Sequence, residues 1–179
     1  MNAVARIGSW LLWPGLLLSL FLPFGSVRAV TAVVGEPVPP VALPALSPDI
    51  EVISLADYRG RVVYLDFWSA WCAPCRHSMP QLDALRRAHS REDFEVIGVN
   101  VDPEAAAARR YLDRTPVSYP LALDPAGRVA AAFGVQALPA LVVIDRDGVM
   151  RRTLVGAAVK APDELRATLE KLLQEGEVQ

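Results

Sequence analysis

The chain has 179 residues with 18 basic and 20 acidic side chains, a net charge of −2, and 53% hydrophobic residues. That length suits one domain with additional terminal sequence, and the slight acidity argues against nucleic acid as a partner. Two cysteines, three positions apart, are too few for a disulfide-stapled scaffold, so Cys72 and Cys75 read as kept for chemistry.

Residues Ile7 to Phe24 are almost entirely apolar, preceded by Arg6 and followed by Val27-Arg28-Ala29. A basic start, an apolar stretch and small residues form the pattern of an export signal, with cleavage expected after Ala29. The rival expectation is an uncleaved anchor, because the stretch approaches the roughly 20 residues that span a bilayer. Pro14, Gly15 and Pro23 weigh against a permanent helix. No cysteine precedes Cys72, which excludes an N-terminal lipoprotein anchor, and no Arg-Arg pair points to the twin-arginine route. Loss of 1–29 removes Arg6 and Arg28, leaving 16 basic against 20 acidic residues and a net charge of −4.

Residues 30–48 read as an extended lead-in, since Val33 to Pro48 holds five prolines and little periodicity. A single domain is expected over 49–175. Ile50 to Leu55 is a short strand and Ala56 to Gly60 a turn, while Arg61 to Trp68, apolar without alternation, is a strand buried on both faces. Ala73 to His89 carries Met79, Leu82 and Leu85 at helical spacing and is expected to kink at Pro80. Phe94 to Val101 is a second buried strand, and Asp102-Pro103-Glu104 opens a helix to about Arg114. Val117 to Leu123 is extended and Ala126 to Phe133 a short helix. Leu141 to Ile144, the turn Asp145 to Gly148, and Val149 to Val155 form a hairpin, and Pro162 to Leu173 closes the chain as an amphipathic helix. This order describes an α/β fold, a mixed central sheet flanked by helices.

Chemistry concentrates in Phe67-Trp68-Ser69-Ala70-Trp71-Cys72-Ala73-Pro74-Cys75, where a buried strand gives way to a helix. Cysteines three apart in a first helical turn lie within disulfide range. Free N–H groups and the positive helix end favour a thiolate at Cys72, and Cys75, one turn deeper, is the resolving thiol. Pro74 is tolerated in a first turn and stiffens the disulfide ring. Trp71 is expected at the contact surface and Trp68 in the core; His77 and His89 are both expected to be solvated.

This segment resembles the active site of thioredoxin-like proteins, and its surroundings resemble the TlpA/ResA branch of exported thiol-disulfide oxidoreductases. The resemblance runs from about Val33 to Leu173. It rests on Gly35-Glu36-Pro37, Leu55 to Trp68, the Cys-x-x-Cys, Pro80 eight residues after Cys72, the strand–helix insertion around Phe94 to Arg114, and Gly134-Val135 through Pro139 to Asp145. It implies a thioredoxin fold with a TlpA/ResA-type insertion and dithiol-disulfide exchange with protein cysteines in the periplasm or another extracytoplasmic space. The implied role is reduction in cytochrome c or copper-site maturation, fed by a membrane-linked electron donor, with no cofactor and no metal.

The resemblance also implies site residues. Asp66, six residues before Cys72 in an apolar strand, would move a proton to and from Cys75 through water, at the floor of the site. Pro139 would form a cis-proline loop beside the disulfide, where the backbone of Leu138 pairs with the bound peptide; relatives usually carry threonine, valine or serine at that preceding position. Two other functions stay open. A peroxiredoxin-like peroxidase is favoured by Ser69, three residues before Cys72, and opposed by Leu65, where such sites want proline. A Cu(I)-binding chaperone needs no more than two thiolates.

Overall fold

The computed structural model describes residues 31–47 and 49–175. The expected export segment or anchor, 1–29, lies outside the described residues. Among the described residues no helix is long and apolar enough to cross a membrane.

Strand β1 (Ala42–Pro44) pairs antiparallel with β2 (Val52–Ser54) in a small sheet of their own. There follow a 3₁₀ turn (Leu55–Tyr58), β3 (Val62–Trp68), α1 (Cys75–Arg87), β4 (Phe94–Asn100) and α2 (Ala105–Leu112). Next come β5 (Leu121–Leu123), α3 (Arg128–Ala132), β6 (Ala140–Ile144), β7 (Met150–Val155), a second 3₁₀ turn (Gly156–Lys160) and α4 (Pro162–Glu175). The main sheet has the order β5-β4-β3-β6-β7, with β3, β4 and β5 parallel and β6 antiparallel to both β3 and β7.

Every residue of β3, β4 and β6 is buried, as unalternated apolar runs require when both faces are covered. On one face Val63, Leu65 and Phe67 of β3 pack with Ile97, Val99, Val142, Ile53 and Phe133, beneath the small sheet and α3. On the other, Tyr64 packs with Leu82 and Leu85 of α1 and Leu165, Leu169 and Leu172 of α4. Trp68 continues that face toward Cys75, Met79 and, on α2, Ala108 and Tyr111. Side chains alternate along a strand, so Asp66, between Tyr64 and Trp68, projects to the face that α1 covers.

The proline-rich segment is extended but joined to the body. Val38 N donates to Gly148 O at 2.9 Å, Pro37 bridges Val149, Ala45 bridges Ala122, and Val41 and Leu46 are buried. Prolines lack a donor only at their own positions, so a short edge strand between them can still pair. Helix α1 starts at Cys75, two residues later than the expected Ala73, and runs through Pro80 to Arg87 without a break. Its end carries a buried ion pair, Arg86 Nε to Glu95 Oε1 at 2.8 Å, with Arg91 on the other oxygen at 2.9 Å.

Helix α2 ends at Leu112, before the expected Arg114. His89 is only partly solvated. It is half-buried, its Nδ1 lies 2.9 Å from Leu85 O, and its ring meets Phe94 edge-on.

Candidate active site

Strand β3 delivers the chain to the mouth of α1, and the turn between them is tightly bonded. Trp71 N donates to Ser69 Oγ at 3.2 Å and Cys72 N to Ser69 O at 3.1 Å. Ala70 N donates to Asp102 Oδ2 at 2.8 Å; the same oxygen accepts Asn100 Nδ2 at 2.8 Å, while Asp102 N donates to Asn100 Oδ1 at 3.1 Å. Asn100 and Asp102, buried at the end of β4, thus brace the loop that presents the cysteines. Sequence reading missed this brace. Asp102 looked like a helix opener, yet residue Glu104 caps α2 and no side chain bonds its first turn.

Cys72 and Cys75 form a disulfide, with Cα atoms 5.3 Å apart. Cys75 N donates to Cys72 Sγ at 3.2 Å. That bond, at the positive end of a 13-residue helix, favours negative charge on Cys72 once the disulfide is reduced. Burial does less to rank the two sulfurs than the sequence implied: Cys72 is 3% exposed and Cys75 1%, so Cys72 is not an open residue. The exposed neighbours include Trp71, at 69%, Ala73, and Pro74, which precedes the helix at φ −62° and ψ −31°. Trp68 is fully buried.

Leu138 packs against the cluster that contains Cys72, Cys75 and Trp68. The Leu138–Pro139 peptide bond is cis, and Pro139 O accepts Gly156 N at 2.9 Å. His77 is exposed on α1.

Asp66 is 0% exposed, and neither carboxylate oxygen has a hydrogen-bond partner among the protein's groups. Burial alone pushes its carboxyl up to about 7, which puts its proton exchange near neutrality. Its register partner on β4 is Gly98. A Cβ there would lie 2.6 Å from Leu121 Cδ2, 3.1 Å from Tyr119 Cε2 and 3.2 Å from Trp68 Nε1. The absence of a side chain at Gly98 therefore lets Trp68 and Tyr119 close over the sheet beside Asp66. Burial first, then Asp66, Asp83 and Tyr111 nearby, raise the Tyr119 phenol well above its ordinary value. Among the described residues no cluster of His, Cys, Asp and Glu could hold a metal ion.

Residues 33–171 match the model of the Redoxin family. The chain belongs to the Redoxin family. Within it, the thiol-disulfide oxidoreductase ResA of Geobacillus thermodenitrificans is 30% identical over 118 residues, 66% of this chain and 67% of that protein. Among solved structures, one from Chlorobium tepidum assigned as a thiol:disulfide interchange protein DsbE superposes with a TM-score of 0.70 at 32% identity, covering 82% of this chain and 99% of that one. The exposed lipoprotein thioredoxin Etrx1 of Streptococcus pneumoniae gives 0.62 at 27% identity, over 75% and 100% of the two chains. This redoxin has the thioredoxin fold, is ResA/TlpA-like, and is a thiol-disulfide oxidoreductase with Cys72 and Cys75 as its redox pair.

Proposed function

We propose that the protein is exported and there reduces disulfides of selected proteins, in cytochrome c or copper-site maturation, with electrons from a membrane-linked donor. The observation that carries the chemistry is the Cys75 N–H held on Cys72 Sγ at the helix mouth, beneath the exposed Trp71. The apolar Ile7–Phe24 stretch and the ResA and DsbE relatives support the extracytoplasmic setting and the choice of partner.

In the reduced protein the Cys72 thiolate attacks one sulfur of the partner's disulfide, forming a mixed disulfide and releasing the other partner sulfur as a thiolate. Cys75, deprotonated through water by the Asp66 carboxylate, then attacks Cys72 Sγ and expels the second partner sulfur as a thiolate. The partner gains two electrons and the enzyme is left with its Cys72–Cys75 disulfide, which the donor reduces. Asp66 returns its proton on the way out, a task for which a carboxyl near 7 is matched to the medium. Trp71 and Pro74 form the contact surface on one side of the disulfide. Leu138 and Pro139 line the other, with the Leu138 backbone pairing to an extended partner segment.

The direction of electron flow is tested by equilibrating the protein with glutathione buffers. A potential near about −270 mV supports a reductant, and one near about −120 mV identifies an oxidant and overturns the proposed role. Mass spectrometry of the protein from its host tests export, with a mature start at Val30 expected; an intact Met1 in the membrane fraction establishes the anchor instead.

A further inference from the structure

Beside the disulfide a groove of about 460 Å³ opens between the Ala70–Trp71 loop, the first turn of α1, and α2 with the residues that follow it. Its charged lining is Arg76, Arg110 and Arg114 against a single carboxylate, Asp102. Asp102 is 2% exposed, and its Oδ2 is occupied by Ala70 N and Asn100 Nδ2. The three arginines are exposed, and none forms an ion pair among the described residues; Arg59, Arg61, Arg109, Arg128 and Arg166 are likewise unpaired, so what sets these three apart is their convergence on one groove.

Ordinary helix electrostatics explains only part of this. Arg110 lies in the last turn of α2, where the macrodipole favours a cation. Arg76 lies in the first turn of α1, where a cation is disfavoured and no acidic residue offsets it. Arg110 and Arg114, which line the same groove, also repel one another. Three like charges converging on one groove in a chain of net charge −2 form a local positive field that Asp102 offsets only in part and that an outside anion can neutralise. Trp71, 69% exposed on the same groove, adds a large aromatic face of the kind that anchors protein partners.

We propose that this groove receives an acidic segment of the protein substrate, next to the substrate cysteine that exchanges with Cys72. The inference rests on the thiol-disulfide chemistry proposed for the site and names the substrate class that the site prefers. The side chains of Arg76, Arg110 and Arg114 take the carboxylates, and Trp71 packs against the segment as the sulfurs align.

The test measures binding without exchange. The oxidised protein is titrated calorimetrically with a synthetic peptide that has a central serine flanked by Asp and Glu, and with the same peptide carrying Asn and Gln in their place. The acidic peptide is expected to bind about tenfold more tightly, the sum of three exposed charge pairs of ordinary strength. That preference is expected to shrink as salt shortens the screening length. It is also expected to vanish in Arg110→Glu/Arg114→Glu and to persist in Arg128→Glu/Arg166→Glu, an equal change of charge at two exposed positions that do not line the groove. Equal binding of the two peptides by the wild-type protein overturns the proposal, as does a preference that survives Arg110→Glu/Arg114→Glu. If oxidised glutathione binds as tightly as the acidic peptide and loses affinity in the same variant, the groove serves a small anion and the acidic protein segment is rejected. Because no disulfide is exchanged, these outcomes are separate from a failure of the redox role, which would appear as an inability to reduce hydroxyethyl disulfide.

Discussion

Replacing Asp66 with asparagine should change how stability depends on pH. The carboxyl sits at about 7 in the fold against an ordinary 3.8, and burial is the cause. Between those values the unfolded chain has released this proton while the folded chain still holds it, so the folded state binds more protons. Unfolding free energy therefore falls as pH rises through that window and is flat with respect to this group below about 4 and above about 7. The difference corresponds to about 4 kcal/mol, a large share of the 5–15 kcal/mol of a typical domain. In the oxidised protein neither cysteine titrates, so the two proteins differ in this group alone. Urea unfolding from pH 4 to 8.5 should show the wild type losing about 4 kcal/mol more than Asp66→Asn, most of it between pH 5 and 7. Parallel pH profiles would refute the argument that Asp66 is buried without a compensating partner.

Three further outcomes follow from the geometry. In the reduced protein, alkylation across pH followed by peptide mass spectrometry should show Cys72 reacting first, with an apparent pKa below the unperturbed value of about 8.5; Cys75 reacting first would reverse the assigned roles. Asp102→Ala removes the acceptor of Ala70 N and Asn100 Nδ2, and should cost about 2–3 kcal/mol in urea unfolding and slow reduction of hydroxyethyl disulfide; unchanged values would show that the loop needs no brace. Gly98→Ala places a methyl 2.6 Å from Leu121 Cδ2 and should destabilise by about 1–2 kcal/mol, with altered tryptophan fluorescence as Trp68 gives way; a neutral result would mean that Leu121 simply rotates aside.

The buried sheet and the helix after it were legible because their signals are local. An unalternated run from Val62 to Trp68 can only be a strand covered on both faces, and Met79, Leu82 and Leu85 mark one face of α1. The cysteine pair was legible for the same reason, as spacing at a strand–helix junction. What was missed is set by contacts distant in sequence. Strand β1, the partner of the expected strand around Val52–Ser54, is hidden by prolines whose neighbours still pair, and the Asp102–Ala70 bond joins positions 32 apart. His89 looked solvated because nothing local shows that Phe94 lies beside its ring. The burial of Cys72 was not legible for a similar reason: the residues that bury it, Leu138 among its neighbours, come from elsewhere in the chain.

The central claim is that Cys72 exchanges with partner proteins and Cys75 resolves the product, and trapping in the native host tests it most directly. Cells expressing Cys75→Ala or Cys72→Ala are quenched with acid, alkylated and run on non-reducing gels. Cys75→Ala should accumulate covalent complexes that dissolve on reduction, because Cys72 can still attack but nothing expels the partner, whereas Cys72→Ala should trap almost none. Complexes formed equally by both variants, or full disulfide reductase activity retained by either, would contradict the account.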